Sequence, residues 1–266
     1  MKQKKETHAQ SHCERSVAIA QSSNRRAFTL AEGATHVGTC DNVRKSAFTL
    51  AEVLITLAII GVVAAMTIPT LISDYQEKVT VTKVKKMYST LANAYSMYVI
   101  NNGEVSAEWT AEGAKTVFEA FKPYLKIGKE CGISHEGCII DTSYNWLRVD
   151  RSDLAYGITD RYYKVRLSDG AALIFRGKDA VTNGSIFYDI NADTAPNRWG
   201  IDMFEFDIIG ESIIPTGLSD SSETFDYSCT GDEARGYGCT AWVIHKGNLD
   251  YLRCYDLTWE DSKCSN

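Results

Sequence analysis

The sequence predicts an α+β protein in which one long N-terminal helix, membrane-spanning in its first half, packs on a C-terminal head built around an antiparallel β-sheet. Three observations predict it. An uncharged apolar run covers 53–72, helical spacing of apolar residues continues beyond it to about Ile100, and from residue 102 onward short strand-like segments alternate with turn residues.

The run VLITLAIIGVVAAMTIPTLI occupies Val53 to Ile72 without a charge. At about 1.5 Å per residue, a helix of that length crosses a hydrocarbon core of roughly 30 Å. Arg44 and Lys45 precede the run and an acidic chain follows it, so the positive-inside rule keeps the N-terminus cytoplasmic and exports residues after about 73. A secretory signal would be cut after the run at an A-x-A-like site, and Ala64-Ala65-Met66 is a poor version of one. Pro69 is expected to kink the helix.

Of the chain's 28 basic and 34 acidic residues, eight and four lie in 1–47, which leaves 20 and 30 beyond and a net charge of −10 there. That balance argues against a nucleic-acid partner. Two of the eight cysteines, Cys13 and Cys40, precede Phe48. The other six are Cys131, Cys138, Cys229, Cys239, Cys254 and Cys264, and no C-x-x-C pair of the zinc or thioredoxin kind occurs among them. Disulfides in an oxidising compartment are the expected state. Local bridges, Cys131–Cys138, Cys229–Cys239 and Cys254–Cys264, are the favoured pairing, with Cys239–Cys254 the main rival among about fifteen complete pairings.

Glu52 stands at the mouth of the uncharged run, where a carboxylate is costly in lipid unless paired. Together Ala47, Phe48, Thr49, Leu50 and Glu52 resemble the cleavage and methylation motif of type IV prepilins and type II secretion pseudopilins, although Ala47 stands where glycine is usual. Gly61 and Pro69 also fall where pilin helices carry a glycine and a kinking proline. The resemblance covers residues 44 to about 75 and implies a pilin-like fold. It further implies that a prepilin peptidase cuts Ala47–Phe48, that the new Phe48 amine is N-methylated, and that Glu52 neutralises the amine of a neighbouring subunit during assembly.

The leader, 1–47, is long for that family. Its hexapeptide Ala27 to Glu32 is identical to Ala47 to Glu52, yet the first copy continues as Gly-Ala-Thr-His, which cannot enter a bilayer. Residues 1–42 are therefore expected to be dispensable, a duplicated or read-through segment ahead of a start at Val43. The competing reading is a genuine long leader with a decoy site at Phe28.

After the span, Val81, Val84, Tyr88, Leu91, Tyr95 and Tyr98 form one apolar stripe that ends the pilin helix, 48–101, at Asn101-Asn102-Gly103. The head, 102–266, is expected to hold a helix over Trp109–Phe121 and a hairpin of Tyr162–Leu167 and Ala171–Phe175 joined through Asp169-Gly170. Further strands are expected at Ile186–Ile190, Met203–Ile209, Ser212–Ile214, Trp242–His245 and Asp250–Leu252.

Asp189, Asn191, Asp193 and Asp202 alternate oxygen donors as the first half of an EF-hand loop does, and the stretch resembles one found in some bacterial pseudopilin-like proteins. Thr194 occupies the position of the EF-hand glycine. Two readings stand: calcium held by these four residues, or a hydrogen-bonded Asx turn, of which the turn is favoured. No other cofactor is expected. His135 and His245 are the head's histidines, and neither a nucleophile elbow nor a phosphate loop accompanies them.

The reading is thus a non-enzymatic structural subunit of a type II secretion pseudopilus or type IV pilus. Its expected partners are the prepilin peptidase, other pilin-like subunits, an inner-membrane assembly platform and membrane lipid. It would sit in the bacterial inner membrane with an exported head. The alternative is an enzyme or binding protein anchored by a single pass.

Overall fold

A computed structural model describes residues 48–103, 113–139, 144–151, 161–177, 182–261 and 264. Residues 48–53 fall in a separate unit from Leu54–Asn266 and are described on their own. The expectations for 1–47, including Ala47 and the repeated hexapeptide, lie outside the described residues.

Helix α1 runs Leu50–Asn102 with Pro69 inside it. It stops where Gly103 adopts φ 79° and donates its N–H to the Val99 carbonyl at 2.8 Å, a conformation that glycine reaches without Cβ strain. The large apolar residues from Leu54 to Ile72 are left exposed, whereas Val81, Val84, Met87, Leu91, Ala94 and Tyr95 are buried against the head and Tyr88 and Tyr98 pack beside them. The stripe therefore gains Met87 and Ala94 at the same helical spacing. Val84 and Leu91, both fully buried, each contribute roughly 1.5–3 kcal/mol by leaving water. Tyr95 also donates its hydroxyl to the Gly210 carbonyl at 2.7 Å, which ties the helix to a turn of the sheet.

The sheet is a six-stranded antiparallel meander: β1 Ile127–Gly132, β2 Tyr162–Leu167, β3 Ala172–Arg176, β4 Gly184–Asp189, β5 Met203–Ile209 and β6 Ser212–Pro215, each paired with the next. Gly170, at φ 92°, turns β2 into β3. Val165, Leu173, Phe175, Ile186, Tyr188, Phe204, Phe206 and Ile208 share a core with α1 and with α2, Ala114–Phe121. The opposite face buries Tyr162, Ala172, Ile174, Phe187 and Met203 against Ile139, Tyr144 and Trp199. A long apolar helix packed on a C-terminal antiparallel sheet is the pilin-like α+β architecture.

Two strand expectations are corrected. Trp242–His245 belongs to a helix, α4 Cys239–His245, and Asp250–Leu252 is a 3-10 turn. A short apolar run such as Trp242-Val243-Ile244 does not distinguish strand from buried helix by periodicity. Here Cys239 is bonded to Cys229, and the Thr240 hydroxyl accepts the Glu205 N–H at 3.0 Å, which seats the helix on β5. Strand β1 and the short helix α3, Phe225–Ser228, carry weak patterns and went unread. Glu104–Glu112 lie outside the described residues, so the expected helix from Trp109 is described only from Ala114.

Candidate functional site

The helix start is built from the motif itself. Thr49 donates its N–H and its hydroxyl to Glu52 Oε2, both at 2.8 Å, and the Glu52 N–H returns to the Thr49 hydroxyl oxygen at 3.2 Å. This is a reciprocal capping box, in which side chains satisfy N–H groups that have no partner in the first turn. The Thr-x-x-Glu spacing is visible in the sequence and could have announced it. It fixes the Glu52 carboxylate beside the first turn, next to Phe48, which is 84% exposed.

The Asp189–Asp202 segment does not converge on a cation. Asp189 Oδ1 accepts the N–H groups of Asn191 at 3.1 Å and Ala192 at 2.7 Å, and its Oδ2 accepts the Tyr144 hydroxyl. The two oxygens of Asp202 accept the N–H groups of Asn197 at 2.7 Å and Arg198 at 2.6 Å. Asp193 points to Arg166 at 3.2 Å. The Asp189 and Asp202 oxygens are thus engaged by N–H and O–H donors and Asp193 is paired with Arg166, while the Asn191 side-chain oxygen is buried without a hydrogen-bond partner. Among the described residues no cluster of three or more His, Cys, Asp or Glu could hold a metal. Burial pushes the Asp189 carboxyl up to about 7, against the opposing pull of the hydrogen bonds it accepts.

A second polar centre, which the sequence reading missed, lies between β3, β4 and β5. Arg176 donates to the Ser185 hydroxyl at 2.8 Å and stands 3.8 Å from the buried Glu205. Ser185 donates to Asp207 at 3.1 Å, while the Thr216 and Ser222 hydroxyls donate to Asp207 at 3.0 and 2.8 Å. Burial pushes Glu205 up to about 8, reinforced by the nearby Asp207 charge. The groups fasten the 216–222 loop to the sheet.

The six head cysteines form three disulfides, Cys131–Cys138, Cys229–Cys239 and Cys254–Cys264. His245 lies edge-on to Trp259, within an aromatic cluster with Trp242 and Phe225.

A prokaryotic N-terminal methylation motif matches residues 42–68, a stretch that contains the second copy of the repeated hexapeptide. A family of unknown function, DUF6613, matches residues 70–234, more than half of the chain. No curated protein and no solved structure matches. The chain belongs to this family of unknown function, its domain adjoining a methylation motif of the prepilin type.

Proposed function

We propose that this protein is a non-enzymatic filament subunit, anchored in the bacterial inner membrane with its head exported. In this reading a prepilin peptidase cuts before Phe48, and an assembly platform draws the subunit into a type II secretion pseudopilus or type IV pilus. The observation that carries the reading is the methylation motif leading into a helix whose large apolar residues from Leu54 to Ile72 stay uncovered, while the same helix beyond Val81 is packed into the head. Such a surface is stable only in lipid or against other apolar helices. The three disulfides fit an oxidising compartment on the exported side.

Glu52 is the assembly residue in this mechanism. Leaving water costs a carboxylate several kcal/mol, which a neighbouring Phe48 ammonium offsets only in the correct register. Glu52→Val should therefore insert and be processed normally but fail to enter filaments, scored by shearing and immunoblotting. Normal filaments from that variant would remove the pairing role.

A further inference from the structure

Every residue of α1 from Ala65 to Gln76 is exposed, and cover by the head begins at Glu77. That carboxylate is held by the corner of the head that follows α4. One oxygen accepts the Leu249 N–H at 2.9 Å, the other accepts Arg253 at 2.9 Å, and Arg253 also donates to Asp250 at 2.7 Å. Lys85 seats the same corner, since a Cβ on Gly247 would meet its Nζ at 3.1 Å. About 27 Å of helix separates Glu77 from Tyr95, whose hydroxyl meets Gly210. The turn at Gly210 is thus the end of the head far from the span, and 247–253 is the near end.

Ile72 closes the apolar run, and Glu77 follows about 7.5 Å further along the helix with its side chain leaning back toward the N-terminus, as helical side chains do. The polar layer outside the hydrocarbon core of a bilayer is about 5–7 Å deep on each side. With the span in a membrane, the Arg253 guanidinium bonded to Glu77 therefore comes to the level of the lipid phosphates. Its side chain is 54% exposed. Among the described residues Glu77 and Asp250 each take one of its N–H groups, which leaves others for a further acceptor, and a guanidinium matches phosphate oxygens. Tyr75, exposed and two residues nearer the span, is of the type enriched at membrane–water interfaces. Segment 246–256 holds Lys246 and Arg253 against Asp250 and Asp256, so neither sign dominates, which suits a zwitterionic headgroup better than an anionic one.

We infer that the 247–253 corner is a lipid-contact surface of the head, in which Arg253 binds the phosphate of a zwitterionic phospholipid while Glu77 and Asp250 hold the guanidinium in place. The contact sets the head of the anchored subunit on the membrane in one orientation. The inference rests on the membrane-anchored reading above and adds to it the part of the head that meets the bilayer.

The test adds one tryptophan at a time to the full-length chain, by Tyr75→Trp, Tyr255→Trp or Glu211→Trp, in phosphatidylcholine vesicles that carry a nitroxide on the headgroup. Tyr255 is exposed, lies two residues past Arg253 and stacks with Arg148, a contact that tryptophan keeps, while Glu211 is exposed in the far turn. Quenching is read against the parent chain, whose own tryptophans are common to all variants. Tyr75→Trp should be quenched strongly, and Tyr255→Trp at least about twice as much as Glu211→Trp. Adding Arg253→Ala to Tyr255→Trp should lower its quenching about twofold, and adding Arg253→Lys, which keeps a cation, should preserve most of it. Quenching of Tyr255→Trp no greater than that of Glu211→Trp, with Tyr75→Trp quenched, would overturn this inference and leave the anchored reading standing, as would quenching that Arg253→Ala leaves unchanged. Absence of quenching in Tyr75→Trp would overturn both.

Discussion

The two halves of helix α1 share a backbone conformation and differ in what covers them. Leu54, Leu57, Ile60 and Leu71 are exposed, whereas Val84, Leu91 and Tyr95, further along, are essentially inaccessible. Apolar composition alone therefore does not decide burial. In the second half, apolar residues at three- and four-residue spacing leave one polar face for water, while the first half is apolar all round and needs a surrounding that the described residues do not supply.

The sharpest way to break this comparison is to make the same change in both halves. Leu91→Ala should cost about 2–5 kcal/mol of head stability, because it leaves a cavity in a packed core. Leu57→Ala should leave the thermal transition of the head unmoved in detergent. Equal effects at both positions would show that the exposed half is folded into the protein after all. Removing the bridge between the buried Cys229 and Cys239 by a double serine substitution should cost about 2–3 kcal/mol, read from chemical denaturation.

A smaller effect concerns the sheet that the second half packs on. Glu205 is held near 8 in the fold, above an ordinary value of 4.5, so between those limits the folded chain keeps a proton that the unfolded chain has lost. Its contribution is complete below about 4.5 and declines as pH rises toward 8, at up to about 1.4 kcal/mol per pH unit. Glu205→Gln should flatten that limb of the stability profile, and an unchanged slope in a urea titration series would contradict the assignment. Smallest of all, Thr49→Ala should loosen the first turn of α1 by about 1 kcal/mol, visible as faster amide exchange at residues 51–53 with the head unaffected.

The long helix, its stop at Gly103, the β2–β3 hairpin and strands β4 to β6 were legible because each carries a strong local signal: an unbroken apolar run, Asn-Asn-Gly, Asp-Gly, or β-rich runs between turns. Glu205 and Asp207 were not. Alternating with Phe204 and Phe206, they read as the solvated face of a strand, and only the 216–222 loop and Thr240, brought there by tertiary folding, bury them. Trp242–His245 misled for a related reason, since its apolar residues suit either a strand or a covered helix. In the Asp189–Asp202 turn the sequence offered oxygen ligands but could not reveal that backbone N–H groups and Tyr144 occupy those of Asp189 and Asp202.

The central claim is that the exposed half of α1 begins, in the mature protein, at the motif. Intact-mass and N-terminal peptide analysis of the protein purified from membranes tests it most directly. The account predicts a chain starting at Phe48 with a methylated amine, and a chain in the same membranes that retains Ala47 and the residues before it would contradict it.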